Sequence, residues 1–272
     1  MPLITLEELE KTVPVFRGPL GNGLASGLMN MFAMDRINSL YDRNIDRKGP
    51  DFTAAVLQDI GVRYEIIHPE VLEAIPDGPF ITISNHPYGS LDGVMLVDVF
   101  ARMRPDFKVM VNKFLGRIKT LEDNFICVKP TGASRTASTK DNLHGIKDAL
   151  DHVRKGHPLG IFPSGAVSDL SIRDRCIRDR GWQEAAIRLI GKLGVPVVPV
   201  HFLDRNSDFY YMLGLINWRV RLLRLPLEIF NKRGELQRIV LGPVVTPAEL
   251  AHFAGDVAGL GEYLRSKVYN LY

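Results

Sequence analysis

The order of apolar and polar residues predicts strands and helices that alternate along most of the chain. Short apolar runs predict strands at residues 62–68, 79–84, 107–111, 124–128, 158–162, 195–202 and 236–242. Apolar residues at helical spacing predict helices at residues 24–41, 92–103, 136–156, 182–194, 217–231 and 247–269. Because residues 195–202 contain two prolines, that strand is expected near an edge of the sheet or with an irregular start.

This alternation is typical of an α/β fold, in which a mostly parallel central sheet is flanked by helices. We expect two segments. Residues 1–55 form an N-terminal helical lead-in, and residues 56–272 form the main domain. No repeat, low-complexity tract or linker divides the chain further.

Composition narrows the class of protein. The 272 residues are 46% hydrophobic and 24% charged, which suits a globular protein with a core. A net charge of +3 fits contact with anionic lipid or an acidic protein better than nucleic-acid binding, which we do not expect. Two cysteines, Cys127 and Cys176, without metal-like spacing indicate a reducing compartment. We expect neither a secretory signal nor a membrane-spanning segment.

The stretch SNHPYGSLDGV, residues 84–94, carries the strongest candidate chemistry. Two residues six apart point away from each other on a regular helix, so His86 and Asp92 meet only if the chain turns between them. Pro87 disfavours helix at His86, and Gly89 permits an unusual turn. Ser90 is the expected N-cap of the next helix. Asp92 then lies in its first turn, where it can orient the imidazole so that His86 acts as a base.

The string Asn-His-Pro-x-Gly-x-x-Asp-Gly after a strand resembles the histidine–aspartate motif of the glycerolipid acyltransferases, the superfamily containing 1-acylglycerol-3-phosphate acyltransferase. That motif usually has four residues between His and Asp. The five residues here resemble the hemolysin-like branch, which includes enzymes of ornithine- and glycine-lipid synthesis. The resemblance implies a glycerol-3-phosphate acyltransferase-like fold. It also implies substrate contacts at Asn85, Gly89 and Ser90.

The same resemblance implies an O-acyltransferase of membrane lipid synthesis. His86 would take the proton from the hydroxyl of a lyso-lipid while that oxygen attacks an acyl thioester, and Asp92 would hold the imidazole. The thioester would be carried by acyl carrier protein or coenzyme A, and no cofactor or metal is expected. The basic residues that could steer acidic acyl carrier protein are Lys108, Lys113, Arg117 and Lys119.

A second block, GIFPSGAVSD at residues 160–169, resembles the superfamily's Phe-Pro-Glu-Gly-Thr-Arg-Ser block, which helps hold the acceptor. Ser164 replaces the glutamate and Val167 stands at the arginine position. An arginine is the natural partner of a phosphate, so its loss favours a lyso-aminolipid of the ornithine- or glycine-lipid type. Lysophosphatidate, the substrate of 1-acylglycerol-3-phosphate acyltransferase, remains the alternative. The candidate acceptor contacts of this block are Phe162, Pro163, Ser164 and Gly165.

Basic residues elsewhere could complete the acceptor site. Arg173 and Arg175 are candidates to replace the missing arginine, although residues 171–180 alternate in sign and otherwise indicate a solvated face. Residues 112–130 resemble the intermediate motif of the superfamily, in which a basic residue ends a strand. Lys113 and Lys129 are the candidates there.

Two apolar stretches, residues 24–41 and 209–230, are candidates for contact with a membrane surface. The second mixes Tyr210, Tyr211 and leucines with basic residues, as interfacial helices do. We therefore expect a peripheral protein on the cytoplasmic face of the inner membrane. The expected membrane contacts are Trp218, Arg219, Arg221 and Arg224.

Two other classes of function stay open. His86, Asp92 and Asp169 could serve a metal-dependent hydrolase, although these residues, with His201, include no i, i+4 pair of metal ligands. A non-catalytic lipid-binding, hemolysin-like protein is the other alternative. The Gly-x-Ser-x-Gly motif of serine hydrolases and the P-loop are both absent.

Overall fold

The computed structural model of the protein describes residues 33–128 and 140–271. Predictions for residues 1–32, including the start of the helix at 24–41, and for Lys129 lie outside the described residues. The strands are β1 Arg63–Ile67, β2 Ile81–Ser84, β3 Lys108–Asn112, β4 Phe125–Val128, β5 Leu159–Ile161, β6 Asp169–Ser171, β7 Cys176–Arg178, β8 Val197–Phe202 and β9 Leu236–Leu241.

Within the described residues, seven strands form one sheet in the order β1–β9–β8–β2–β5–β3–β4. Five neighbouring strands, from β8 to β4, are parallel, while β9 is antiparallel to β8 and parallel to β1. The predicted α/β class with a mostly parallel sheet is confirmed. The sequence did not predict β6 and β7, which form a separate antiparallel hairpin.

The edge position expected for residues 195–202 is wrong, because β8 lies inside the sheet between β9 and β2. Pro196 precedes the strand, so its missing N–H costs the ladder nothing. Pro199 lies within the strand, but its carbonyl still accepts a hydrogen bond from the Gly242 N–H at 2.8 Å. The strand therefore contains only one of the two prolines, although it lies inside the sheet.

Helices precede, connect and follow the strands. They are α1 Met34–Arg43, α2 Gly49–Ile60, α3 Leu91–Met103, α4 Lys140–Arg154, α5 Glu184–Leu193, α6 Asp208–Ile216, α7 Trp218–Leu223, α8 Leu225–Asn231, α9 Pro247–Ala251 and α10 Val257–Tyr269. Three short 3₁₀ helices cover Pro69–Ala74, Lys113–Arg117 and Lys119–Asn124. The helix predicted at 217–231 divides into α7 and α8, since Pro226 lies in the first turn of α8. The helix predicted at 247–269 divides into α9 and α10 around Gly255, whose φ is +85°.

A hydrophobic core covers each face of the sheet. On one face α1, α2 and α3 contribute buried residues such as Leu40, Phe52 and Met95. On the other face α4, α5 and α10 contribute residues such as Val153, Ile187 and Leu264. The boundary predicted after residue 55 falls within α2, which packs in the first of these cores. No helix within residues 33–128 or 140–271 combines the length and the hydrophobicity needed to cross a membrane.

The order of the strands positions the site. The adjacent parallel strands β8, β2 and β5 end at the same edge of the sheet. The chain leaves β2 at Asn85, just before His86, β5 at Phe162 and β8 at Leu203. Because ligands of open α/β sheets bind beyond the carboxyl ends of strands, these three loops frame the expected site.

Candidate active site

His86 and Asp92 form a hydrogen-bonded pair in the loop that joins β2 to α3. The Nδ1 atom of His86 lies 2.7 Å from Oδ2 of Asp92. The Asp92 side chain is fully buried, whereas the His86 side chain is 15% exposed. An ionised carboxylate only accepts hydrogen bonds, so Nδ1 carries the proton and Nε2 is the nitrogen that can act as a base.

The turn between the two residues is built around the same carboxylate. The backbone N–H groups of Tyr88 and Gly89 donate to Oδ2 of Asp92 at 3.1 and 3.2 Å, and that of Gly93 donates to Oδ1 at 3.0 Å. Gly89 has a φ of +88°, as the expected turn requires. Ser90 occupies the N-cap position of α3 as predicted, but its side chain makes no capping hydrogen bond.

Asp92 also tunes the basicity of His86. Burial by itself lowers the pKa of the imidazole, but attraction to Asp92, the hydrogen bond to it and the charge of Asp179 outweigh burial. The pKa of His86 is therefore raised above its ordinary value. A raised pKa makes the imidazole a stronger base once it has lost its proton.

The block at residues 160–169 packs directly against His86. The ring of Phe162 stacks on the imidazole with centroids 4.1 Å apart. The backbone N–H of Ser168 donates to the His86 carbonyl at 2.9 Å. The two stretches singled out in the sequence are therefore parts of one site, joined because β2 and β5 are neighbours.

Asp179 is a buried residue of this site that the sequence analysis missed. Its Oδ1 accepts hydrogen bonds from the His86 backbone N–H at 3.1 Å and from the Ser168 hydroxyl at 2.6 Å. Burial raises its pKa, although the hydrogen bond from Ser168 and that from His86 act in the opposite direction. The alternating charges of residues 171–180 predicted a solvated face. They could not predict that Asp179 is buried, because its partner His86 is distant along the chain.

The side chain of Asn85, an expected substrate contact, is engaged within the protein. Asn85 is buried, and both ends of its amide bind the backbone of Phe202, with the side-chain nitrogen donating at 2.9 Å and the oxygen accepting at 2.8 Å. Asn85 therefore fastens the end of β2 to the end of β8. Sequence could not show this, since the partner lies 117 residues away.

Gly89 and Gly165 were both expected to contact a substrate. Their backbone N–H groups are engaged within the protein. Gly89 donates to Asp92 at 3.2 Å, and Gly165 donates to the Phe162 carbonyl at 2.9 Å. Gly165 has a φ of +63°, so its role is to turn the loop after β5. These glycines shape the site and do not offer free amides to it.

Ser164 and Val167, which depart from the superfamily's block, are both buried. The Ser164 hydroxyl donates to the Ala166 carbonyl at 2.8 Å, and its own carbonyl accepts from the Gln183 side chain at 3.1 Å. Pro163 accepts from the Gln183 backbone N–H at 2.9 Å. This part of the block is thus tied to the start of α5.

The candidate replacements for the missing arginine lie elsewhere. Arg173 and Arg175 are exposed in the turn between β6 and β7. Lys113 is also exposed, and it lies at the carboxyl end of β3, two strands from β2.

Arg221 is the arginine that meets the block at 160–169, and its predicted membrane contact is wrong. Its side chain is 4% exposed and forms an ion pair with Asp169. Its guanidinium also donates to the carbonyls of Ser168 at 3.1 Å and Val167 at 3.4 Å. A buried cation persists where acceptors surround it, and the loop after β5 supplies them here.

The other predicted membrane contacts differ from one another. Arg224 is largely buried and donates to Glu228 at 2.9 Å, so its charge is paired at the start of α8. Trp218 is 49% exposed. Tyr210 and Tyr211 are buried, contrary to the interfacial position expected for them. The side chain of Arg219 lies outside what the structure describes.

A metal-dependent hydrolase is not favoured by these residues. Across the described ranges, no group of three or more His, Cys, Asp or Glu side chains could hold a metal ion. Asp169 is committed to Arg180 and Arg221, while both oxygens of Asp92 already accept hydrogen bonds. The carboxylates that the hypothesis requires are thus used within the protein.

The chain is similar to several known proteins. A family model described as Acyltransferase matches residues 25–272. Lyso-glycine lipid O-acyltransferases of Bacteroides thetaiotaomicron and Phocaeicola vulgatus are each 27% identical over 251 residues, covering 86% of this chain and 88% and 86% of theirs. The crystal structure of the 1-acyl-sn-glycerophosphate acyltransferase PlsC from Thermotoga maritima aligns with a TM-score of 0.42 and 15% identity, over 79% of this chain and 82% of that one.

Proposed function

Because this chain belongs to the acyltransferase family, we propose that it moves a fatty acyl group from an acyl thioester to the hydroxyl of a lyso-lipid. The observation that carries the proposal is the 2.7 Å contact between Nδ1 of His86 and the buried Asp92 carboxylate. It leaves Nε2 as the base, at the edge of the sheet where a ligand of this fold class binds.

The reaction follows from that arrangement. Nε2 of His86 accepts the proton of the acceptor hydroxyl as the oxygen attacks the thioester carbonyl carbon. The tetrahedral intermediate collapses when its carbon–sulfur bond breaks, and the imidazolium returns the proton to the leaving thiolate. An ester and a free thiol result. Acyl carrier protein and coenzyme A both present such a thioester, and the mechanism requires no cofactor or metal.

A lyso-aminolipid of the glycine- or ornithine-lipid type is the acceptor that we favour. Two relatives of this chain are named for a lyso-glycine lipid. In this chain Val167 stands where the superfamily has an arginine, and the adjacent Arg221 is buried on Asp169. Those residues therefore provide no exposed arginine fork for a phosphate.

A competition assay tests the acceptor. We expect purified protein, given an acyl thioester, to acylate lyso-glycine lipid with a kcat/KM at least about tenfold above that for lysophosphatidate, equivalent to about 1.4 kcal/mol of transition-state preference. Mass spectrometry of the products measures both rates. A preference for lysophosphatidate would assign the protein to phospholipid synthesis instead.

The same assay separates the other classes of function. Activity that survives a chelator would argue against a metal-dependent hydrolase. A protein that binds lyso-lipid but forms no ester with any donor would be a lipid-binding protein of the hemolysin-like kind. We place the enzyme at the cytoplasmic face of the inner membrane as a peripheral protein, where thioester donors and lyso-lipids meet.

A further inference from the structure

Large apolar side chains are concentrated on the outer surface of α6 and α7. Seven of the twelve exposed large apolar side chains in the described ranges lie within this one stretch, and Ile216 is 84% exposed. Soluble surfaces carry single exposed apolar residues, but a contiguous group marks a contact surface. We call this group the α6–α7 surface: Phe209, Met212, Leu215, Ile216, Trp218, Val220 and Leu222.

The inner side of the same helix contacts the candidate active site. The Tyr211 hydroxyl donates to the Pro87 carbonyl at 2.9 Å, next to His86. Tyr210 and Tyr211 pack in one cluster with Val167 of the neighbouring loop. Helix α6 thus has one side on the site and another side that presents apolar residues to the outside.

The β6–β7 hairpin adds basic residues beside this surface. Leu170 and Ile177 of the hairpin pack on the cluster that contains Tyr210 and Tyr211. The turn of the hairpin exposes Ile172, together with Arg173 and Arg175, while the charge of the intervening Asp174 is paired with Arg178. Apolar side chains bordered by arginines are typical of proteins that lie in the interface of an anionic bilayer.

From this arrangement we propose that the α6–α7 surface and the hairpin turn dock on an anionic lipid bilayer, so that a lyso-lipid passes from the bilayer to His86. The proposal rests on the proposed function, because a lyso-lipid acceptor keeps its acyl chain in the membrane. A lipid surface accounts for both features of the region. The apolar residues enter the acyl boundary and the two arginines meet the headgroups.

Vesicle flotation of the full-length protein tests the surface. We expect the wild type to bind vesicles of phosphatidylcholine with phosphatidylglycerol, and the double variant Leu215→Glu/Ile216→Glu to bind at least about tenfold more weakly. Met103→Glu is the matched control. Met103 is also exposed, but it lies at the end of α3 remote from His86, so this variant should bind as the wild type does.

A second pair of changes isolates the charge contribution. Arg173→Gln/Arg175→Asn should weaken binding to the anionic vesicles by about fivefold per arginine and leave binding to pure phosphatidylcholine unchanged. Asparagine is chosen at 175 because that residue has a φ of +51°. If this variant bound the anionic vesicles as strongly as the wild type does, the arginines would have no role in docking.

Activity assays separate this proposal from the proposed function. The Leu215→Glu/Ile216→Glu variant should acylate a short-chain monomeric acceptor at the wild-type rate and lose activity on lyso-lipid embedded in vesicles. Undiminished vesicle binding, or lipid-free dimers of the wild type that this variant abolishes, would overturn the membrane assignment. If the wild type binds vesicles through this surface but acylates no acceptor, the surface stands and the proposed function fails.

Discussion

At the scale of single residues, the chemistry depends on how Asp92 is held. Its two oxygens accept hydrogen bonds from His86 and from three backbone N–H groups. Such a saturated carboxylate has a fixed position, so it fixes the ring of His86 and the nitrogen that bears the proton. Phe162 covers one side of the imidazole and limits its rotation.

Substitution of His86 and of Asp92 tests this arrangement. His86→Ala should reduce kcat/KM about 10²- to 10⁴-fold at unchanged thermal stability. Asp92→Asn removes a charge that raises the pKa of His86. The base works only when neutral, so the acidic limb of the kcat/KM–pH profile, which the raised pKa of His86 places above the ordinary imidazole range in the wild type, should move to lower pH.

Asp98→Asn is the control for that experiment. Asp98 is a second buried aspartate of α3, bound by Thr53, Tyr64 and Arg102. Its loss should lower stability and leave the acidic limb in place. An Asp92→Asn enzyme with the wild-type profile would show that His86 is not the group whose titration controls the rate.

At the scale of elements, the loop after β5 links the site to the start of α5. Gly165 adopts a left-handed φ of +63° there, and a Cβ atom at this position would lie 2.0 Å from the Gln183 side-chain nitrogen. That nitrogen donates to the Ser164 carbonyl. Glycine at this position thus avoids backbone strain and leaves the Gln183 side chain in its hydrogen-bonded place.

Gly165→Ala should therefore cost more than backbone strain. We expect about 1–2 kcal/mol from the left-handed conformation, plus the loss of the Gln183 hydrogen bond and a measurable fall in kcat/KM. Gly156→Ala is the matched control, since Gly156 has a φ of +94° with no atom within 4 Å of its Cβ position. Equal losses of stability in chemical denaturation would show that Gln183 does not constrain the loop.

At the scale of the whole molecule, the last helix supports the candidate active site, although the two are far apart in the sequence. The Tyr269 hydroxyl of α10 accepts the backbone N–H of Asp179 at 2.9 Å. Arg265 of the same helix donates to the Asp179 carbonyl at 2.9 Å and to that of Arg180 at 3.0 Å. Three hydrogen bonds therefore join α10 to residues 179–180. Asp179 in turn accepts the backbone N–H of His86, which couples α10 to the site.

Tyr269→Phe tests this coupling. It leaves the buried N–H of Asp179 without its acceptor, which should cost about 1–3 kcal/mol in the free energy of unfolding and lower kcat. Tyr263→Phe is the control on the same helix, because the Tyr263 hydroxyl donates to the side chain of Glu249, which is only partly buried. Should both variants retain wild-type stability and kcat, α10 would have no part in positioning His86.

The sequence by itself determined the α/β class, all seven strands of the main sheet and the pairing of His86 with Asp92, because these depend on local periodicity and on a turn within a single loop. Only the tertiary structure decided which polar residues are buried. Asp179, Asn85 and Arg221 find their partners in residues distant along the chain, and no local pattern encodes such contacts. The interior place of β8 has the same cause, since the order of strands in a sheet is set by packing between elements.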